Sequence, residues 1–114
     1  MASYYGRLFV RIAGISGASA VGLAAYGAHG IHKEDEHRKL IFDNANRQHF
    51  FHTLALLAVS RCKYPLLTGA ILTTGMLVFC GSCYYQSITG DSSIRPITPY
   101  GGILLIVGWL SMVL

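Results

Sequence analysis

The chain has 114 residues, of which 53% are hydrophobic and only 12% are charged, and its net charge is +4. An average soluble domain carries about 25% charged residues, so this chain has too few charges to coat a soluble surface. The composition excludes disorder, a coiled coil and a disulfide-stapled secreted module, and it indicates one domain in a membrane.

The basic residues are spread between apolar runs, as in membrane proteins whose cations lie near lipid headgroups. They form no basic face, and we therefore expect no nucleic-acid partner. The chain has three cysteines, an odd number that argues against a disulfide framework.

Four apolar stretches predict four membrane-spanning helices, at about residues 8–28, 45–60, 65–88 and 99–114. A spanning helix needs about 20 residues, which the first and third stretches supply. The fourth is shorter and would cross only a thin or locally thinned bilayer. The second stretch is shorter still in its charge-free part, and an amphipathic lead-in at about residues 35–47 precedes it.

Only helices and closed barrels satisfy the backbone inside lipid, and four spans cannot close a barrel. The predicted fold is therefore an all-α, integral membrane four-helix bundle in a single domain, residues 1–114. The connections are short, so neighbouring helices must be antiparallel. The polar connection between the first two helices, with its run of acidic residues, is expected to be solvated.

Small residues recur along the first and fourth helices. Gly14, Ala18 and Gly22 are spaced four residues apart, and Gly101 and Gly108 lie seven apart. Small residues at such spacing let two helix backbones approach closely in a membrane. The stripe on the first helix predicts either packing against helix two or four, or the seam of a homodimer.

The N-terminal region has the character of a targeting segment. The first 33 residues contain no acidic residue but hold Arg7, Arg11, Lys33 and several serines, a composition typical of mitochondrial targeting. The apolar run after Arg11 also has features of a signal peptide. Cations in the short, acid-free flanks favour both termini on the inner side of the membrane.

Antiparallel helices bring the end of helix one, the start of two, the end of three and the start of four to one membrane side. A polar pocket on this side is predicted from these residues: His29, Gln48, His49, His52, Tyr84, Tyr85, Asp91 and Thr98. Its imidazoles would suit a divalent metal or haem, a quinone carbonyl, or an anionic headgroup. The alternatives are structural: His29 caps helix one, and His52 bonds to Gln48 or Thr53. The pattern lacks a third fixed ligand, so we expect no metal and no cofactor.

Two further features favour structural roles. Cys80 and Cys83 have the CxxC spacing but lie deep in helix three, away from a helix N-terminus that would activate a thiol; buried thiols are expected. Trp109 and Tyr100, like Tyr84 and Tyr85, lie near predicted helix ends, where amphipathic rings anchor a protein at the membrane interface.

An ordered set of short motifs covers nearly the whole chain. It comprises Gly27-Ala28-His29-Gly30, Gln48, His52-x-Leu54-Ala55-Leu56, Phe79-x-Gly81-Ser82-x-Tyr84, Thr89-Gly90, Ile97-Thr98-Pro99-x-Gly101-Gly102 and Gly108-Trp109. Together they resemble the transmembrane protein 256 family, which includes bacterial inner-membrane relatives. The stretch Phe42-Asp43-x-Ala45-Asn46 is similar to animal members. The resemblance implies a four-helix multi-pass membrane protein, mitochondrial in animals, and it implies no activity.

The expected function is a non-enzymatic accessory or assembly element of a membrane complex in the mitochondrial inner membrane. Its partners would be the lipid bilayer and other membrane protein subunits, or a second copy of the chain. One alternative is a small lipid- or quinone-binding module that uses His29 and His52. A second alternative is a proton or solute conduit.

Overall fold

The computed structural model describes residues 4–30 and 36–114, which form four α-helices with short connections. The helices are α1 (Tyr4–Gly30), α2 (Glu36–Leu57), α3 (Pro65–Thr89) and α4 (Thr98–Ser111). Single 3₁₀ turns at Val59–Arg61 and Arg95–Ile97 precede α3 and α4. The described residues contain no strand, and the all-α four-helix prediction is confirmed.

The second and fourth helices differ from the predicted bounds. The lead-in and the second apolar stretch form one continuous helix, which ends at Leu57 because the chain tightens into a 3₁₀ turn. The fourth helix ends at Ser111 rather than at the C-terminus. The predicted polar connection falls largely on residues 31–35, which lie outside the described residues.

Proline and glycine set the ends of α3. Pro65 is its first residue, where the missing backbone N–H costs no helical hydrogen bond. Gly90 follows its last residue with φ 77°, a left-handed conformation that glycine adopts without steric cost. The Gly90 N–H bonds to the carbonyl of Gln86 at 2.8 Å and so closes the helix end.

Two of the described helices, α1 and α3, are long and apolar enough to cross a membrane. By the helical rise, α4 with 14 residues is about 21 Å long, shorter than a hydrocarbon core of about 30 Å. The 22 residues of α2 reach about 33 Å, but the N-terminal half of α2 carries most of the charged residues of the described helices.

The helices pack in chain order, α1 against α2, α2 against α3 and α3 against α4, and the short connections make each pair antiparallel. The Cα atoms span 49 × 27 × 16 Å, so the four helices form a flattened layer rather than a square bundle. In consequence α1 leans almost entirely on α2. Only 17% of the 18-residue apolar stretch of α1 is buried, against 44% of the corresponding stretch of α3.

Glycines allow close approach between neighbouring helices. A Cβ on Gly101 would meet the backbone of Phe79, and one on Gly108 would meet the side chain of Leu72. On the other side of the layer, the Phe9 ring of α1 occupies the space that a Cβ on Gly69 would need. Such contacts supply the dispersion energy that holds helices together where lipid gives no hydrophobic advantage.

Polar side chains also join the helices. Thr68 and Ser111 share a hydrogen bond of 2.7 Å between α3 and α4. At the opposite end of α3, the guanidinium of Arg38 donates to the carbonyls of Ser87, at 2.8 Å, and Ile88. A cation at a helix C-terminus satisfies the last carbonyls and favours the helix dipole.

Candidate functional sites: a polar network, a groove and an exposed helix face

A polar network in the middle of the layer links three helices through His49. The Nε2 atom of His49 lies 3.0 Å from the hydroxyl of Ser16 in α1, and its Nδ1 atom lies 3.0 Å from the hydroxyl of Tyr84 in α3. Asn46, one turn earlier in α2, donates from its amide to the Tyr84 hydroxyl at 3.1 Å and to the carbonyl of Ala20 at 3.0 Å.

The direction of each hydrogen bond in this network follows from its acceptors. The Thr53 hydroxyl donates to the carbonyl of His49 at 2.7 Å, because a carbonyl only accepts. Because the Thr53 proton is already used in this way, the Ser16 hydroxyl must donate to Thr53 Oγ1, at 2.6 Å. It follows that His49 donates from Nε2 to Ser16. In the neutral imidazole with its proton on Nε2, Nδ1 accepts from the Tyr84 hydroxyl.

His52 is held in the opposite tautomer. Its Nδ1–H donates to the carbonyl of Gln48 at 2.8 Å, and its Nε2 accepts from the indole N–H of Trp109 at 2.9 Å. The imidazole is buried, and the two rings meet edge to face with centroids 5.8 Å apart. Both ring nitrogens of His52 are thus occupied, and the expected interfacial anchor Trp109 is also a hydrogen-bond donor to α2.

The two histidines diverge although they are three residues apart. Three residues advance a helix by about 300°, which leaves the side chains about 60° apart around the axis. In the flattened layer this angle is enough to direct His49 towards α1 and α3 and His52 towards α4. The predicted single pocket is corrected here: the structure brings His49 and Tyr84 together and places His52 elsewhere.

The remaining predicted pocket residues lie apart from the network. His29 is exposed on the last turn of α1, and Thr98 shares a hydrogen bond of 2.6 Å with Ser82 at the start of α4. Gln48 takes part through its backbone carbonyl, the acceptor for His52. Helix ends on one membrane side were expected to converge, but a flat layer keeps the ends of α1 and α4 separate.

Asp91 belongs to the exposed connection before α4. Its carboxylate accepts from the backbone N–H of Ser93 at 2.9 Å and from the Tyr85 hydroxyl at 3.1 Å. These hydrogen bonds, the one from Ser93 first, hold the pKa of Asp91 below its ordinary value. They shape the loop and contribute nothing to the network around His49.

Sequence reasoning missed three members of the network. Asn46 and Thr53 lie on the same face of α2 as His49, so a polar stripe along a membrane helix was the signal that could have found them. Ser16 is one of several serines in the N-terminal region and carries no distinguishing signal. Its role depends on the register between α1 and α2, which the sequence does not state.

Within residues 4–30 and 36–114, no group of three or more His, Cys, Asp or Glu side chains converges as metal ligands would. Cys80 and Cys83 are buried and free, as expected for structural thiols in a helix. Cys80 faces the space between α1 and α3, and Cys83 packs in the same core cluster as Tyr84.

A groove of about 470 Å³ runs between α1 and α3, with α2 as its floor. Its polar lining comes from Ser16, Ser19, His49, Thr73 and Tyr84, and the rest of its wall is largely apolar. No described residue that lines it carries a charged side chain of the Asp, Glu, Lys or Arg type. The groove exists because α1 contacts α3 only slightly along its length.

The small-residue stripe of α1 faces away from the rest of the described chain. Gly14, Ala18 and Gly22 are exposed, and a Cβ on either glycine would have no atom within 4 Å. The packing of this stripe against helix two or four, one of the two expectations, is therefore absent from the described residues. A different side of α1 makes the contact with α2 instead, where Gly17 lies beside Thr53 and Gly27 beside Phe42.

Comparison with known proteins gives consistent results. Residues 23–102 match the model of DUF423, described as a protein of unknown function. A UPF0382 membrane protein of Schizosaccharomyces pombe is 36% identical over 113 residues, covering 89% of this chain and 94% of the relative. The UPF0382 membrane protein YwdK of Bacillus subtilis is 30% identical over 115 residues, with 94% of both chains covered. A relative in Haemophilus influenzae is 33% identical over 110 residues, covering 91% of this chain and 89% of the relative. No solved structure matches the chain.

Proposed function

The chain belongs to the DUF423 family of UPF0382 membrane proteins, and from this premise we propose that it is a non-enzymatic accessory or assembly element of a larger membrane complex. Its partners would be other membrane protein subunits or a second copy of itself. The observation that carries the proposal is the exposed stripe of Gly14, Ala18 and Gly22 on a helix that is largely apolar.

The chemistry of this stripe suits a helix partner. Lipid tails pack poorly into a notch of small residues, whereas a second helix can bring its backbone into van der Waals contact there. The notch is continuous over two helical turns, since its members recur every four residues. Arg7 and Arg11 lie on the same side of α1 towards its N-terminus, where they would meet headgroups or acidic residues of a partner.

The short connections support a structural rather than a catalytic role. The described connections between α2 and α3 and between α3 and α4 are short, and each contains a single 3₁₀ turn. The two histidines use all four of their ring nitrogens in hydrogen bonds within the protein. A general base or a metal ligand would need at least one of these nitrogens to be released.

We further infer that the chain is an animal member of the transmembrane protein 256 family and resides in the mitochondrial inner membrane. The ordered motifs and the acid-free N-terminal region support this assignment. Imaging of a C-terminally tagged chain, with protease protection of mitochondria and mitoplasts, tests it. Retention in the secretory membranes would contradict it.

The assembly role is tested by purification in mild detergent followed by native mass spectrometry. We expect the wild-type chain to elute with a partner and the double variant Gly14→Leu, Gly22→Leu to elute without it. Both side chains would enter open space, so the fold should tolerate them. Gly81→Leu is the matched control, since Gly81 also faces open space but lies on α3. A wild-type monomer without partners would refute the proposal.

The two alternative functions receive less support in the form expected from the sequence. A lipid or quinone module built on His29 and His52 would need the two side chains in one site, but His29 is exposed on α1 and His52 is buried beside Trp109. For a proton or solute conduit, flux through proteoliposomes that His52→Ala abolishes would be the required result.

A further inference from the structure

We propose that the groove between α1 and α3 binds a lipid-soluble quinone, with the quinone ring beside Ser16 and Ser19 and its tail along the apolar part of the groove. This inference is independent of the assembly role. It concerns the side of α1 that faces α3, whereas the stripe of Gly14 and Gly22 lies about 130° away around the same helix.

The lining calls for an uncharged ligand. The described wall has hydroxyl, imidazole and apolar groups but no Asp, Glu, Lys or Arg side chain. A phosphate or carboxylate placed here would lose its hydration without gaining a counter-ion, which is costly inside a membrane. A quinone carries two carbonyl oxygens and no charge, so its head can leave water for such a wall.

The position and length of the groove suit a head buried below the headgroup layer. Its α1 wall runs from Ile12 to Leu23, about 16 Å by the helical rise and about half of a hydrocarbon core of about 30 Å. His49 comes two residues after Arg47, the last charged residue of α2, so the polar part of the groove lies just beyond the charged part of that helix. Phospholipid headgroups remain at the surface, whereas a quinone ring enters the hydrocarbon.

Hydroxyl donors are available at the polar part of the groove. The Ser19 hydroxyl donates to the carbonyl of Ile15, one turn earlier in the same helix, at 2.9 Å and can rotate towards a ligand. Ser16 can do likewise. Thr53 would then lose only the hydrogen bond that it accepts from Ser16 and would keep the one that it donates to the His49 carbonyl. In the part of the chain that the structure describes, the one buried side-chain oxygen without a partner is that of Thr73, which also lines the groove.

Aromatic rings flank the same position. The rings of His49 and Tyr84 meet edge to face with centroids 5.8 Å apart, and both line the groove. Their mutual hydrogen bond fixes their orientation, so a planar ring can pack against them with little loss of side-chain freedom. An aliphatic alcohol or a single acyl chain would make no use of these rings.

Gly81 provides a steric test. It lies in the groove wall on α3, and a Cβ at this position would have no neighbour within 4 Å. A leucine there would therefore begin in open space and project into the groove. Gly14→Leu, which projects into open space from a different side of α1, is the matched control.

The experiment uses the full chain in mild detergent and a benzoquinone with a decyl tail as the probe, with bound quinone counted per chain by native mass spectrometry. We expect saturation at one quinone per chain. Gly81→Leu should weaken binding at least tenfold, and Gly14→Leu should leave it unchanged. Ser19→Ala should weaken it about two- to tenfold, the worth of one hydrogen bond, while binding of decylbenzene should be insensitive to this change.

Thr73→Val gives a second, milder test, with Thr74→Val on the exposed side of α3 as its control. If Gly81→Leu does not fold, as judged by elution volume and helical circular dichroism, Thr73→Val becomes the variant on which the test of the quinone site rests. Equal quinone binding by the wild type and the folded groove variants would overturn the proposal. It would also be overturned if the species displaced by Gly81→Leu were a phospholipid or a second chain. Loss of a protein partner in Gly14→Leu with quinone binding intact would separate this site from the assembly face.

Discussion

Gly101→Ala probes the close approach of α3 and α4. An added Cβ would lie 2.8 Å from the Cα atom of Phe79 and even nearer to its backbone nitrogen. A backbone cannot rotate away as a flexible side chain can, so the two helices would have to separate or tilt. The perturbation therefore acts on an interface and leaves the internal hydrogen bonds of both helices intact.

Substitution of the neighbouring Gly102 separates the free-energy cost of the close contact from the change in helix propensity. A Cβ on Gly102 would lie 3.8 Å from the Phe79 ring, an ordinary contact. Each alanine gains about 1 kcal/mol of helix propensity over glycine, and this gain cancels in the comparison. Overpacking costs about 1–3 kcal/mol, so the free energy of unfolding of Gly101→Ala should lie below that of Gly102→Ala by about that amount.

The assay is reversible unfolding in mixed micelles with increasing sodium dodecyl sulfate, followed by helical circular dichroism and by fluorescence. Trp109 is the sole tryptophan in the sequence, so the emission reports on α4 directly. Equal midpoints for Gly101→Ala and Gly102→Ala would refute the close backbone approach at this position.

Three further substitutions test polar contacts in the same assay. His52→Phe keeps an aromatic ring but removes the acceptor of the Trp109 indole N–H; we expect a blue-shifted emission and a loss of about 1 kcal/mol in the free energy of unfolding. Arg38→Met removes the cation from the C-terminal carbonyls of α3 and should cost about 1 kcal/mol, measured as an earlier midpoint. Thr68→Val removes the hydrogen bond to Ser111 and should cost about 0.6 kcal/mol, the average for such a bond within a membrane bundle.

Neighbouring residues supply the controls. Lys39→Met beside Arg38 removes an exposed ion pair with Asp43, whose Oδ1 lies 3.6 Å from the Lys39 Nζ atom. It should change the free energy of unfolding by only a few tenths of a kcal/mol, because an exposed ion pair contributes little. Thr74→Val on the exposed side of α3 is the control for Thr68→Val. An unshifted tryptophan emission in His52→Phe would contradict the imidazole–indole bond, and equal effects at Arg38 and Lys39 would contradict the capping role.

The sequence predicts the helices well because their signals are local. The apolar runs, Pro65 at the start of α3 and Gly90 just past its end each act within a few residues of the boundary they set. The short connections then require antiparallel neighbours. The overall architecture follows from these local signals without knowledge of any side-chain contact.

The candidate sites were harder to predict from the sequence, because they depend on how the helices are arranged around one another. A square bundle and a flat layer have the same helices and the same connections, but only the flat layer separates His52 from His49 and leaves α1 exposed. The partner of Ser16 depends on the register between α1 and α2. The polar stripe of α2 has no matching stripe on the largely apolar α1, so the sequence does not specify that register.

The chain-order packing has a consequence for how the protein is made. The three main interfaces between described helices join elements adjacent in sequence, so each can form as soon as the next helix has entered the membrane, as expected for a fold of low contact order. The contact of His49 with Tyr84 forms only once α3 has been inserted. The contact of His52 with Trp109 forms only once α4 has been inserted. Each of these histidines would therefore fix α2 to a later helix by a hydrogen bond that forms when that helix is inserted.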